Sequence, residues 1–253
     1  MIRPRVIPVL LLQGQGLVKT VKFTDPTYLG DPINIVRIFN DKEVDELVFL
    51  DITATAESRS PAFETLAKIT SECFMPLGYG GGVHTIDDIK KLLQIGIEKI
   101  ALNTAAVENP ALVREAADYA GSQAVVISMD VRKDRSGKYE LYTRSGTKNT
   151  GLDPVKQAIE MEKWGAGELL INSIDRDGTM EGYDLELIRR VSDAVSIPMI
   201  ACGGAGKLQD LGDAIKLGNA SAAGAGSIFV FQGPLRGVLI SYPSPADLKR
   251  ILS

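Results

Sequence analysis

Short runs of Val, Ile and Leu alternate along the chain with segments in which apolar residues recur every three to four positions. The short runs have the length of buried β-strands, and the segments between them have the spacing of amphipathic helices. Two of these helices are predicted at 85–95 and 184–195, capped by Thr85 and Asp184. Eight strands are predicted, at 5–12, 46–52, 74–79, 98–103, 123–130, 167–173, 197–202 and 221–227.

Eight strand–helix pairs in a chain of 253 residues match the size of a (β/α)8 TIM barrel. The chain also resembles itself, since "DELVFLDIT" from Asp45 is similar to "GELLINSID" from Gly167, an offset of 122 residues. The segments that start at Met75 and Ile197 are similar at the same offset of 122. We therefore predict a single barrel domain over 1–253, built from half-barrels at about 1–120 and 121–253. A doubly wound open sheet is the alternative.

The composition narrows the possible partners. With 28 basic and 32 acidic side chains the net charge is −4, and no basic patch suited to nucleic acid is evident. The apolar runs are strand-sized and the N-terminus lacks a signal-peptide pattern, so we expect a cytoplasmic protein without membrane contact. Cys73, Cys202 and His84 are the only residues of their types, too few for a Cys/His zinc site. We expect no metal and no cofactor, and two cysteines packed in the core.

Four glycine-rich or small-residue loops follow predicted strands: "GYGGGVH" at 78–84, "ALNTAA" at 101–106, "ACGGAGK" at 201–207 and "GAGSIF" at 224–229. Glycine lets backbone N–H groups approach an anion, and such loops line one mouth of a barrel. The loops recur about 122 residues apart, which predicts two equivalent phosphate sites across the mouth. A ligand with phosphate at both ends would fit. Tight turns that need glycine for steric reasons are the alternative.

With this layout, the chain resembles the cyclase subunit family of imidazole glycerol phosphate synthase over nearly its whole length. The motifs that carry the resemblance are "DELVFLDIT" (45–53), "GGGVH" (80–84), "NTAAVENP" (103–110), "GSQAVV" (121–126), "SGTKNTG" (145–151), "SIDRDGT" (173–179) and "CGGAGK" (202–207). The resemblance implies a barrel that takes ammonia from a glutaminase subunit docked at its bottom. Ammonia would pass through the core and close an imidazole ring on a bisphosphorylated substrate at the top.

The resemblance also assigns residues to roles. Phosphate contacts are implied for Gly82, Asn103, Thr104, Asp177, Gly178, Gly204, Gly226 and Ser227. A ring of charges that gates ammonia entry is implied for Arg5, Glu46, Lys99 and Glu168. Each of these four lies at a strand start, where an inward charge must pair with an opposite one to be buried. Four ordinary solvated charges are the alternative.

The family resemblance implies a pair of aspartates as general acid and base, at the ends of the first and fifth strands. Asp130 occupies the second of these positions, but Leu11 occupies the first. Leucine cannot carry a proton, so we expect the ordinary cyclase reaction to be impaired. Lys19, in the first loop, is expected to act on substrate. An unusual cyclase that recruits Asp51 or Asp177 as the second acid is the alternative.

Other segments point to a paralogous branch. The first strand "IPVLLL", the first loop "VKTVKFTDPTYLGDPINIVRIFN" and the tail at 229–252 depart from the usual family pattern. The branch that they resemble is associated with acetamidino modification of sugars in lipopolysaccharide biosynthesis. The implied partners are a glutaminase, an ATP-dependent sugar amidotransferase and a phosphorylated small molecule. We expect the tail to bring Arg236 and Tyr242 near the mouth. A histidine-pathway cyclase and, less in keeping with the charged ring, a sugar-isomerising barrel are the alternatives.

Overall fold

The computed structural model describes residues 4–252. Its strands are β1 (Arg5–Gln13), β2 (Gly16–Val21), β3 (Thr24–Gly30), β4 (Leu47–Asp51), β5 (Leu77–Gly80), β6 (Lys99–Leu102), β7 (Val125–Lys133), β8 (Tyr139–Thr143), β9 (Lys148–Asn149), β10 (Glu168–Ser173), β11 (Met199–Cys202), β12 (Ala222–Ala225), β13 (Phe231–Gln232) and β14 (Gly237–Val238). Its α-helices are α1 (Pro32–Asp41), α2 (Phe63–Ser71), α3 (Ile86–Gln94), α4 (Thr104–Glu108), α5 (Ala111–Ala120), α6 (Pro154–Trp164), α7 (Leu185–Ser192), α8 (Leu208–Lys216), α9 (Ser227–Val230) and α10 (Pro245–Leu252).

Eight parallel strands close into a barrel, which confirms the predicted (β/α)8 fold. The strands follow one another in the order β1, β4, β5, β6, β7, β10, β11 and β12, and β12 pairs with β1 to complete the circle. All eight are predicted strands. Their carboxyl ends therefore meet at one mouth, and their amino ends meet at the opposite, bottom face.

Two hairpins rise from the mouth because two barrel strands continue beyond the circle. β1 turns back into the antiparallel pair β2 and β3, which forms the first loop. β7 turns back into β8 and β9. The sequence predicts the strands from which these hairpins start but not the hairpins themselves.

Two apolar layers hold the fold together, because successive side chains of a strand point to opposite faces and both faces are covered. Ile7 and Val9 of β1 point into the barrel, where they join Val48, Val126 and other inward residues in one cluster. Val6 and Leu10 point outward and pack beneath the helices in a second, larger cluster. The near-continuous apolar runs of the sequence thus reflect burial on both sides of each strand.

The half-barrel repeat is visible in the helix caps. Asp88 accepts hydrogen bonds from the backbone N–H groups of His84 and Thr85. Asp210, 122 positions later, accepts the corresponding bonds from Gly206 and Lys207. Thr85 and Asp184 cap α3 and α7 as predicted.

Several predicted boundaries differ from the observed ones. The strand predicted at 221–227 ends at Ala225, because Gly226 and Ser227 begin the short helix α9. The strand predicted at 74–79 begins at Leu77, and Phe74 is left in an exposed loop. Within residues 4–252, none of the helices has the length and apolarity needed to span a bilayer.

The buried cap carboxylates support a stability prediction. Replacing Asp88 by Ala removes the side-chain acceptor of the His84 and Thr85 N–H groups at the start of α3, so we expect the free energy of unfolding to fall by about 0.5–2 kcal/mol. The neighbouring Asp87 is exposed, pairs with Lys90 at the surface and serves as the matched control. Asp87→Ala should change the free energy by about 0.5 kcal/mol or less. Chemical denaturation of both variants measures the difference, and equal losses would contradict the assigned role of Asp88.

Candidate functional site

The mouth of the barrel holds a cavity of about 300 Å³. Ten residues predicted as catalytic or phosphate-binding all line this cavity: Lys19, Gly82, Asn103, Thr104, Asp130, Asp177, Gly178, Gly204, Gly226 and Ser227. The four predicted gate residues lie at the other end of the barrel, where their strands begin. The sequence-predicted residues thus form two separate groups, one at each end.

The upper rim of the cavity is built from equivalent loops of the two half-barrels. Asn103 precedes α4 with φ −118° and ψ −82°, and Gly226 precedes α9 with φ −113° and ψ −70°. The Ser227 hydroxyl is buried here without a hydrogen-bond partner. The glycines also serve the loops themselves, since a Cβ on Gly82 would stand 2.4 Å from the Arg59 carbonyl oxygen and one on Gly204 2.2 Å from that of Gly182. Phosphate binding by these loops stays a prediction.

Below the rim, the cavity wall is polar on one side and apolar on the other. Asp130 of β7 lies in register with Asn172 of β10, and both side chains line the cavity. Across the cavity, Leu11 of β1 lies in register with Leu50 of β4. The two half-barrels therefore differ at equivalent strand ends, and a hydrocarbon surface faces the carboxyl group.

Asp130 is the one carboxyl group of this wall without a cationic partner among the described residues. Its pKa is raised to about 7, mainly by burial and further by the negative charge of Asp177. The Asn103 amide opposes this rise by donating a hydrogen bond of 2.8 Å to Asp130 Oδ2. A carboxyl group with such a pKa can either donate or accept a proton near neutral pH.

The other carboxylates of the mouth are occupied. Asp177 lies 2.9 Å from the ammonium nitrogen of Lys19 and also accepts a hydrogen bond from Thr20. Lys19 is itself buried, so the two form an ion pair removed from bulk water. Asp51 accepts hydrogen bonds from the Ala54 backbone and from Arg59, which hold the loop after β4.

The first loop is folded over the cavity. The Lys22 N–H donates a hydrogen bond of 2.8 Å to the Asp177 carbonyl oxygen. Phe23 lines the cavity and lies so close to Gly146 that a Cβ there would approach its ring within 2.7 Å. This closure brings Lys19 to Asp177.

Sequence reasoning missed several residues of the cavity, among them Phe23, Arg144, Ser145 and Asn172. Ser145 begins the quoted motif "SGTKNTG", so the motif could have identified it; its hydroxyl donates to the Ile52 carbonyl oxygen. Asn172 had no signal in the sequence, because it lies inside a buried strand. Neither Arg236 nor Tyr242 of the tail lines the cavity, and the Tyr242 hydroxyl donates to the Val6 carbonyl oxygen.

At the bottom of the barrel, the four predicted gate residues form a closed ring of ion pairs. Lys99 lies 2.9 Å from Glu46 and 2.7 Å from Glu168, and Arg5 pairs with the same two carboxylates. Both glutamates are almost fully buried, with side-chain exposures of 3% and 4%. The charges alternate around the ring and cancel, which satisfies the condition for burying them.

A small cavity of about 10 Å³ lies just inside this ring. That volume is about enough for one water-sized molecule. It is lined by Glu46 and Lys99 of the ring and by small or apolar residues above it, including Gly78 and Ala101. Ala101 also lines the cavity at the mouth. In the described part of the chain, no cluster of His, Cys, Asp and Glu could hold a metal ion.

Comparisons with known proteins agree with this arrangement. The profile of the family described as histidine biosynthesis protein matches residues 5–235. A Pseudomonas aeruginosa protein, named provisionally as imidazole glycerol phosphate synthase subunit hisF2, is 49% identical over 96% of this chain and 97% of its own. A Leptospira interrogans protein with a similar provisional name is 46% identical over 98% of each chain, and the imidazole glycerol phosphate synthase subunit HisF of Alkaliphilus metalliredigens is 46% identical over 92% of each. The chain belongs to the histidine biosynthesis protein family and, within it, to the cyclase subunits of imidazole glycerol phosphate synthase type.

Proposed function

We propose that this chain is the barrel subunit of a glutamine-dependent complex, which receives ammonia from a glutaminase at its bottom face and delivers it at the mouth. One observation carries the proposal: the ring of four opposite charges is complete, while Leu11 stands where a second acid or base is expected. The entry for ammonia is therefore retained in a chain that has lost half of the proton-transfer pair.

The geometry of the axis supports conduction of a small neutral molecule. Arg5, Glu46, Lys99 and Glu168 close the bottom, and the cavity behind them has room for one such molecule. Charged ions are disfavoured in the apolar interior above the ring, whereas neutral ammonia avoids most of this desolvation penalty. We therefore assign the ring the role of an ammonia gate and expect a glutaminase to cover it.

The state of the mouth carboxylates supports loss of the ordinary cyclase reaction. Asp177 is paired with Lys19, and Asp51 holds its own loop with Arg59. Neither is free to replace the missing aspartate at position 11 without breaking these contacts. Asp130 is left to act alone, which argues against a cyclase that recruits Asp51 or Asp177.

For the acceptor of the ammonia, we propose a separate ATP-dependent amidotransferase that converts an acetamido group of a sugar into an acetamidino group. The reaction would serve lipopolysaccharide biosynthesis in the cytoplasm. The resemblance of the first strand, first loop and tail to the paralogous branch supports this assignment, as does Leu11. Lys19 and the two rim loops would then hold a phosphorylated ligand that the barrel does not cyclise.

A second candidate function is the histidine-pathway cyclase itself. It is favoured by the presence of Asp130, Lys19 and both rim loops at the mouth, and by the name of the Alkaliphilus metalliredigens relative. This candidate requires imidazole glycerol phosphate to form from the bisphosphorylated substrate and ammonium salt on the purified chain.

Reconstitution with a glutaminase tests the proposed passage. Gly78 faces the small cavity, and even a Cβ there would lie 3.2 Å from Val48 Cγ2. Gly78→Leu should therefore block the route and abolish transfer of ¹⁵N from amide-labelled glutamine to the acetamido sugar in the complete complex. Transfer from ¹⁵N ammonium salt, which enters from the mouth, should persist.

Gly237→Leu is the matched control, because Gly237 lies in an exposed hairpin with no atom closer than 3.7 Å to the added Cβ. A complex with this variant should transfer nitrogen both from glutamine and from ammonium salt. A folded Gly78→Leu complex that uses glutamine at the rate of the unmodified complex would contradict conduction along the axis. Failure of the barrel to associate with any glutaminase would contradict the proposed function as a whole.

Replacing Leu11 by Asp tests what the leucine has removed. The substitution places a second carboxyl across the cavity from Asp130, and one positioned acid or base typically contributes ~10²–10⁴ in rate. We expect cyclase turnover with ammonium salt to rise by a factor in this range over the unmodified chain. Leu11→Asn, which has similar shape but no titratable proton, is the control and should give no rise. Equal turnover of the two variants would show that position 11 does not limit the reaction.

The raised pKa of Asp130 predicts a pH-dependent stability. Below the pKa that this aspartate has in the unfolded chain, the folded and unfolded states both hold its proton. Between that pKa and pH about 7, the folded state keeps the proton and the unfolded state does not, so the free energy of unfolding falls as pH rises. Asp130→Asn removes the effect. The free energy of unfolding of Asp130→Asn, relative to that of the unmodified chain, should therefore increase by on the order of 2–3 kcal/mol between about pH 5 and about pH 8. Denaturation at both values measures this, with Asp175→Asn as a control outside the cavity; a pH-independent difference would contradict the raised pKa.

A further inference from the structure

The polar wall of the mouth contains two buried oxygen atoms without hydrogen-bond partners. They are the side-chain oxygens of Asn103 and Asn172. Asn172 is only 6% exposed, and both residues line the mouth cavity. A buried amide oxygen without a partner loses its interaction with water and gains nothing in return, so its presence calls for a ligand.

Both residues are neighbours of Asp130. Asn172 is in register with Asp130 on the adjacent strand, and neighbouring strands are about 4.8 Å apart. The Asn103 amide nitrogen donates to Asp130 Oδ2 at 2.8 Å and to the Tyr142 carbonyl oxygen at 3.4 Å. Because both acceptors face this nitrogen, the amide orientation is determined and its oxygen is left for another donor. Two adjacent strands, β7 and β10, and the residue that follows β6 thus bring acceptor-bearing side chains to the same cavity.

The charge of this place is also unbalanced. Lys19 and Asp177 neutralise each other, Asp51 is paired with Arg59, and Arg144 is paired with Glu108. The pKa of the Cys202 thiol is raised to about 12 by burial and by Asp177. When Asp130 is ionised, the wall therefore holds one uncompensated negative charge. Leu11 and Leu50 cover the opposite side, so little water can solvate that charge.

We propose that Asp130, Asn103 and Asn172 together bind one ammonium ion at the exit of the barrel. The inference rests on the proposed function, since ammonia must arrive there through the axis. An ammonium ion has four N–H donors in a tetrahedral arrangement and one positive charge, which matches the carboxylate, the two amide oxygens and the single missing charge. Leu11 is part of this fit, because a second carboxylate would leave a net negative charge beside the ion.

Arrival and release are a reversible proton transfer. Neutral ammonia takes the proton of the Asp130 carboxylic acid, so that an N–H bond forms, the O–H bond breaks and the carboxylate remains as the counter-ion. Release reverses these steps, and neutral ammonia leaves toward the acceptor. Asn172 is a positioning residue in this scheme, since it holds the ion without exchanging a proton.

The test uses the full chain alone, without a glutaminase. The protein is labelled with ¹³C at aspartate carboxyl carbons, and the Asp130 signal, identified by its absence in Asp130→Asn, is followed during titration with ammonium chloride. Tetramethylammonium chloride at equal ionic strength is the reference salt, and potassium chloride tests for general cation binding. With ammonium, we expect the ¹³C chemical shift of Asp130 to move saturably toward the value of an ionised carboxylate. With tetramethylammonium, we expect no saturable change.

Asn172→Leu should raise the ammonium concentration at the titration midpoint about tenfold, because it removes a hydrogen bond to a charged group. Asn172→Thr, a smaller change in a buried strand, is measured as well in case the leucine variant fails to fold. Asp175→Asn is the control, since Asp175 lies outside the cavity and accepts a bond from the Lys133 backbone. Its ammonium midpoint should equal that of the unmodified chain.

Three results would overturn the ammonium site: no saturation, an equal response to potassium, or an unchanged midpoint in both Asn172 variants. None of them would affect glutamine-driven transfer through the axis, which is measured separately in the complex. Conversely, a normal titration in a barrel that transfers no nitrogen from glutamine would overturn the proposed function and leave the site in place.

Discussion

The interaction on which the rest depends is the ring of four alternating charges at the bottom of the barrel. Each guanidinium or ammonium group contacts two carboxylates, and each carboxylate contacts two cations, so two nearly inaccessible glutamates can be held without an uncompensated charge. The partners come from β1, β6, β10 and the residue before β4, so the ring also ties together distant parts of the circle. Glu46 and Glu168 are 122 positions apart, and the repeat therefore supplies both acidic members.

The ring limits what can lie above it. The neutral ring closes the bottom end of the barrel axis. Small and apolar residues lie above it, and Gly78 and Ala101 are among those that line the small cavity there. At the opposite end the two half-barrels have diverged: one presents Asp130 and Asn172, and the other presents Leu11 and Leu50. The symmetry of the repeat persists in the loops and helix caps, where backbone conformation determines which residues fit. It is lost on the inner wall, where the residues differ in polarity between the two half-barrels.

The sequence predicts the barrel because each strand is buried on both faces and its apolar run is continuous. It predicts the ring and the ten mouth residues through the resemblance to the cyclase family, and the charges at strand starts and the glycines after strands agree with that resemblance. It does not predict the hairpins, whose strands carry no continuous apolar run, or the boundary at Ala225, where a four-residue helix replaces the strand end. Nor does it reveal that Asp51 and Asp177 are already paired, since ion pairs between distant loops depend on how the first loop closes.

Under the proposed function, leucine at position 11 would affect the charge of the mouth as well as its catalysis. A mouth with two free carboxylates would strongly couple their titrations, so that one would keep its proton while the other ionised. With leucine in place of one, Asp130 has no such partner at position 11, and its pKa of about 7 arises from burial and from the negative charge of Asp177. Such a group is neutral when the cavity holds a neutral molecule and negative when the cavity holds a cation. On the ammonium-site proposal, leucine at position 11 would leave a single group suited to holding one proton with its nitrogen, in place of a pair suited to sequential acid and base steps.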